Sequence, residues 1–191
     1  MLAQILISTL QILSAFYLTI VLLRFLLQVA RADFYNPISQ FVVKATNPLL
    51  IPLRRIVPSI GGVDTSSLLL ALLIQTLVYF LIILASGQVT LNPIIFAWAA
   101  VTILGLILKI YFWSIIAVII LSWVAQGSYH PAVQLLHQLT EPVMAPFRKL
   151  IPPIGGLDLS PLVVFLVINV LDIVVNNLAI QVGLGRLGVM F

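Results

Sequence analysis

The chain is 191 residues long, 62% hydrophobic and only 7% charged, with a mean hydropathy of +1.25, whereas a soluble domain carries roughly a quarter charged residues. That leaves too little polar surface for a water-facing globule, so the sequence reads as an all-α membrane protein and the useful count is of spans. The absence of cysteine excludes a disulfide framework, a cysteine-held metal or cluster and a thiol redox site; the net charge of +4 reads as a topology and lipid-surface signal, with no direct nucleic-acid ligand.

In chain order, the first apolar run covers residues 2–29 and is interrupted by Arg24, close enough to the run's end for its side chain to snorkel. It is roughly twice as long as a signal-peptide core and lacks a basic leader, so the small-residue pattern Ala30-Arg31-Ala32 is not a cleavage site. Residues 37–45 predict a short amphipathic helix with Pro37 in its first turn. Pro48, Pro52 and Pro58 then predict short helical or irregular pieces lying in the membrane interface, because each ring removes an amide donor. Gly61-Gly62 predicts a turn, Ser66-Ser67 the cap of a new helix, and Asp64 a carboxylate at the positive end of its dipole. Residues 67–85 form a charge-free second span.

After an uncharged link, residues 94–124 give a third span interrupted by Lys109. Residues 131–139 give a second amphipathic helix, followed by Pro142, Pro146 and Pro152, the Gly155-Gly156 turn, Asp158, and Ser160 as N-cap before Pro161. The fourth span is residues 162–182, interrupted by Asp172. The closing Gly183-Leu184-Gly185-Arg186-Leu187-Gly188 imitates a dinucleotide fingerprint, but it follows a span and has no βαβ context, so it reads as a tail.

The second half repeats the first with a constant offset of 94 residues: Pro48, Pro52, Arg54, Pro58, Gly61, Gly62, Asp64 and Ser66 recur as Pro142, Pro146, Arg148, Pro152, Gly155, Gly156, Asp158 and Ser160. So gapless a match is a duplication. It divides the chain into units 1–93 and 94–191, each a long helix, a Pro-rich connector and a short helix. Two spans per unit give both units the same orientation, which predicts a pseudo-twofold axis along the membrane normal. Arg31, Lys44, Arg54, Arg55, Arg148 and Lys149 all lie in the connectors, which places these in the cytoplasm and both termini outside.

Three readings of the connector motif stay open: a turn that returns the chain into the membrane, an anion or lipid-phosphate cradle built from the glycine amides with Arg54, Arg55, Arg148 and Lys149, or pairing of the arginines with Asp64 and Asp158. Within the spans, Lys109 and Asp172 lie about 22 Å and about 16 Å from the connector side at 1.5 Å per residue. An isolated charge at that depth is expensive, so the expectation is an interior ion pair supported by Asn169 and Asn176, with Gln4, Ser8 and Gln11 also facing inward. Such a cluster serves either interhelical adhesion or a proton or cation step. His130, His137 and Glu141 have no metal-ligand spacing, and His130 stands at the place of Asn36, which favours a turn role. No nucleophile with a base and no carboxylate pair can be named, so neither a catalytic site nor a cofactor is expected.

The duplicated Pro-x-x-x-Pro-x-Arg-[Arg/Lys]-x-x-Pro-x-Ile-Gly-Gly-x-Asp-x-Ser, with Asp33-Phe34-Tyr35-Asn36-Pro37 and Ser122-Trp123, resembles the YggT family of bacterial membrane proteins and the related YlmG proteins. The resemblance implies a bacterial inner-membrane location and a non-enzymatic role. With the resemblance, the basic connectors give as the leading expectation membrane organisation, division or complex assembly, with anionic lipid or another membrane or assembly protein as partner; the alternative is a channel or transporter component tied to osmotic or ionic stress. A homo-oligomer is a further expectation.

Overall fold

The computed structural model describes residues 2–59, 61–87, 92–124, 128–150 and 158–184. These form α1 (Leu2–Val29), α2 (Pro37–Arg54), α3 (Thr65–Ala85), α4 (Ile94–Val124), α5 (Pro131–Leu150) and α6 (Ser160–Gln181). The residues long and apolar enough to cross a membrane are Gln4–Val29, Thr65–Ala85, Ile94–Val124 and Ser160–Gln181, so the chain is an all-α membrane protein with four candidate spans. The second span begins two residues before the expected position, at Thr65.

The connector helices are longer than expected. Neither α2 nor α5 breaks at its prolines: α2 runs through Pro48 and Pro52, and α5 through Pro142 and Pro146. An interior proline costs about 3 kcal/mol, but a spacing of four puts both rings of each helix on the exposed side. On the opposite face Ser39, Val42, Thr46 and Leu50 of α2, and Leu135, Leu139, Thr140 and Met144 of α5, are buried. Each large apolar side chain so buried contributes about 1.5–3 kcal/mol, and that stripe carries the helix past the rings.

Both connector helices start alike. Asn36 Oδ1 accepts the Ile38 N–H at 2.9 Å, and His130 Nδ1 accepts the Ala132 N–H at 3.2 Å. The histidine therefore stands in for the asparagine as the turn-forming acceptor ahead of Pro131.

Packing joins the units closely. One core combines Leu22 and Leu27 of α1, Leu50 of α2 and Leu70 of α3 with Ile110 of α4 and Leu139 of α5. Ile115, Met144, Val164 and Ile168 form a smaller core within the second unit. The expected pseudo-twofold is not closed. Helix α3 packs along α4, but the pair that a twofold would make equivalent, α6 with α1, forms no comparable interface among the described residues. One face of α1, with Gln4, Ile5, Ser8 and Ile12, and one face of α6, with Asn169, Ile173 and Asn176, are exposed instead.

The intramembrane cluster also differs from expectation. Lys109 and Asp172 do not pair: Asp172 Oδ2 accepts from Asn176 Nδ2 at 2.9 Å, and Asn169 Nδ2 donates to the Phe165 carbonyl at 2.8 Å. Asn169 and Asn176 are exposed on α6, as are Gln4 and Ser8 on α1. Lys109 instead lines a cavity of about 160 Å³ between α1, α3 and α4, with Gln11, Ser14, Gln75, Tyr79 and Thr102. Lys109 and Asp172 thus leave their helices in directions that do not bring them together.

Candidate connector site

The chemistry-bearing residues of the first unit gather where α2 meets the end of α1 and the start of α3. Gly61 and Gly62 turn the chain with φ of +62° and +80°, two successive left-handed conformations that only glycine adopts without strain. The turn is fastened from α3: Ser66 Oγ donates to the Val57 carbonyl at 2.6 Å and Thr65 Oγ1 to the Pro58 carbonyl at 2.8 Å. The cap of α3 is Asp64, where a serine was expected. Its carboxylate is fully buried, accepts from Ser67 Oγ at 2.6 Å and pairs with the Arg54 guanidinium. Burial pushes the Asp64 carboxyl up, but the hydrogen bonds from Arg54 and Ser67 outweigh it and hold the group below the ordinary carboxylate range.

Arg24 does not snorkel. It is 5% exposed, and its Nη1 donates to the Val43 carbonyl at 3.2 Å and to Asn47 Oδ1 at 2.9 Å, and also to the Thr46 hydroxyl. Thr46 passes its own proton back to the Val42 carbonyl at 2.8 Å. One guanidinium thus ties α1 to α2. Beside it, Arg24, Gln28, Gln40, Lys44, Asn47 and Arg54 line an open groove of about 690 Å³; of its three cations only Arg54 is ion-paired, with the buried Asp64. Arg55 is exposed next to it.

The second unit is built differently at the same positions. Val118 stands where Arg24 does, Gln138 where Lys44 does, and Glu141 where Asn47 does. Arg148 meets Glu141 at 3.0 Å and Asp158 at 3.1 Å, in pairs that are about as exposed as Arg54 is. The Asp158 carboxyl is again held below its ordinary range: burial raises it, and bonds from Ser160 and Arg148 lower it further. Asp158 Oδ1 accepts the Ser160 N–H at 2.9 Å, while Leu159 occupies the cap position without a side-chain bond, so Ser160 is not the expected N-cap. Lys149 is exposed, and Gly155 and Gly156 lie outside the described residues.

Among the described residues, Arg54 and Arg148 are thus engaged by carboxylates of the chain, whereas Arg55 and Lys149 are exposed. The connectors do meet each other. Asn36 Nδ2 donates to the Pro131 carbonyl at 2.7 Å, and the Asp33 N–H to Gln138 Oε1 at 2.9 Å, which joins them into one platform.

The family profile described as CCB3/YggT matches residues 3–85 and again residues 97–179. The chain belongs to the CCB3/YggT family. Both ends of the two matches are 94 residues apart, so each internal repeat is one YggT module. An uncharacterised protein of Pseudomonas aeruginosa, PA0392, is 51% identical over 178 residues, covering 92% of this chain and 90% of its own length. YggT of Escherichia coli K12 is 40% identical over 156 residues, 82% of this chain and 81% of its own. The chloroplastic YlmG homolog protein 2 of Arabidopsis thaliana is 46% identical over 63 residues, 32% of this chain and 24% of its own. No solved structure matches the chain. Within this YggT-family protein, Arg24, Lys44 and Asn47 are the site residues that the connector motif did not point to. The signal for them was the set of differences between the two modules, where Arg24 and Asn47 change together to Val118 and Glu141.

Proposed function

We propose that the protein is a non-catalytic, multi-pass component of the bacterial inner membrane, whose connector platform faces the cytoplasm and holds anionic lipid head groups in the groove of the first unit. The observation that carries this reading is the imbalance of three cations, Arg24, Lys44 and Arg54, over one carboxylate in an open groove beside a membrane span. The orientation follows from the basic residues of the connectors. Arg24 and Arg54 are anchored by their own bonds, and Lys44 supplies the exposed charge that a phosphate would meet first. Membrane organisation or complex assembly would follow from fixing particular lipids beside a partner-facing platform.

A basic side chain near an anionic surface is worth about 1 kcal/mol, so Lys44→Gln should weaken binding of phosphatidylglycerol to the detergent-solubilised protein about fivefold. Lys149→Gln, on the charge-balanced second unit, should change it much less. Native mass spectrometry of lipid adducts reads both, and equal adducts for wild type and Lys44→Gln would sink the reading.

A second reading, as a transport component in osmotic or ionic adaptation, is favoured by the polar side chains of Lys109, Gln11 and Gln75 in an otherwise largely apolar cavity between the helices. It requires cation flux in proteoliposomes that Lys109→Ala changes. Flux that is absent in the wild type, or unaltered by the substitution, removes it.

A further inference from the structure

Each unit carries both halves of an interface, and the chain uses that interface once. Where the units meet, α3 presents Gln75, Tyr79, Ile82 and Ile83 to α4, all buried, Tyr79 and Ile82 almost wholly. The Tyr79 hydroxyl bonds the Thr102 hydroxyl, and its ring meets Trp98 edge-on at 6.0 Å.

The same register on α6 is Asn169, Ile173, Asn176 and Asn177, and every one of these is exposed, Ile173 by 60%. The counterparts of the receiving face of α4 fall on α1. Trp98, Ala99, Thr102 and Leu106 correspond to Gln4, Ile5, Ser8 and Ile12, again exposed, with Ile12 at 69%.

In a lone molecule both faces would meet lipid, and both are studded with amides, a hydroxyl and, beside Asn176, the Asp172 carboxylate. Polar side chains are expensive against hydrocarbon and hold helices together when they find one another. The two faces are also complementary: α1 offers donors in Gln4 and Ser8, and α6 offers the acceptor oxygens of Asp172 and its flanking asparagines. Helices α6 and α1 run in opposite directions, as α3 and α4 do, so a neighbouring molecule of the same orientation fits.

We propose that the chain assembles head to tail in the membrane, the α6 face of one molecule packing on the α1 face of the next in the register by which α3 packs on α4. The contact is heterologous, joining two different surfaces, so it builds a ring when the rotation closes. Assembly needs no new kind of interface, only a second use of the existing one.

The natural lack of cysteine makes the test direct. Two differently tagged chains, one Ile173→Cys and the other Ser8→Cys, are coexpressed and treated in native membranes with a membrane-permeant bismaleimide, whose arm replaces the length of the tyrosine side chain that a disulfide could not span. These are the counterparts of the bonded pair Tyr79 and Thr102. A crosslinked species of doubled mass carrying both tags is expected, with none from either variant alone.

Within one chain, the same reagent should bridge Tyr79→Cys and Thr102→Cys, whose native side chains meet through their hydroxyls, and so verifies the geometry. Leu6→Cys, whose counterpart Ala100 faces away from the unit junction and is exposed, should not link to Ile173→Cys. The proposal is overturned by an absent mixed dimer while the internal control closes. Dimers of Ile173→Cys alone or Ser8→Cys alone, which mean a symmetric contact, also overturn it, as does equal linkage through Leu6→Cys. Should the internal control unfold the protein, chemical crosslinking of wild type in the same membranes decides between multimers and a monomer dissolved in lipid.

Discussion

Replacing Arg24 with methionine is expected to cost about 3 kcal/mol, since hydrogen bonds to a charged donor are worth about 1.5–3 kcal/mol each and the arginine makes three of them. The methionine keeps part of the packing but removes the donor of the half-buried Asn47 Oδ1, while the Val43 carbonyl keeps the Thr46 hydroxyl at 3.3 Å. Thr46 keeps its bond to the Val42 carbonyl, so the loss falls on the junction of α1 with α2 and not on α2 itself. Arg24→Lys should recover part of the loss, because all three bonds converge on one nitrogen, a task that an ammonium can share. Unfolding of the purified protein by titration with a denaturing detergent measures both. A loss below about 1 kcal/mol for methionine, the ordinary value of one exchanged hydrogen bond, would mean that water replaces the guanidinium without cost.

The second large effect is a contrast between equivalent positions. Asp64→Ala removes the cap of α3 and strands Arg54, and should cost about 3 kcal/mol, the low end for breaking a buried pair, because Arg54 is itself 39% exposed. Asp158→Ala acts on an exposed pair in which Arg148 keeps Glu141, and should cost under about 1 kcal/mol. The same unfolding titration separates them, and equal losses would refute the difference in burial. The pH dependence points the same way. The carboxyl of Asp64 has a folded pKa below its unfolded one, so its contribution is complete above about pH 4 and disappears as the pH falls through the folded value. In Asp64→Asn the acid limb should be shallower than in wild type; an unchanged limb would assign the acid sensitivity to other groups.

Much of this organisation was legible in the sequence, because a duplication shows twice. The four spans, the 94-residue offset and the pairing of connector helices all follow from patterns that local chemistry enforces. The prolines misled because each was weighed as a local breaker. The stripe Val42, Thr46, Leu50 runs on past Pro48, and tertiary burial outweighs the lost amides. Lys109 and Asp172 misled for a different reason: counting residues along a helix gives depth, but partnership needs the azimuth too, and that depends on how α4 and α6 rotate against their neighbours. At the site, the motif drew attention to what the units share. The groove is made by what they do not share, Arg24, Lys44 and Asn47 against Val118, Gln138 and Glu141.

The main core takes residues from α1, α2 and α3 and completes itself with Ile110 of α4 and Leu139 of α5. Synthesis delivers these in order, so the first hairpin of spans enters the bilayer with one flank of its core still facing lipid until the second hairpin arrives. Sequence duplication has thus not produced two independent modules. A ribosome stalled in the link between the units would hold an insertion intermediate whose Leu22, Leu27 and Leu70 are accessible to the insertion machinery, and it is during that interval that membrane chaperones and proteases have their opportunity.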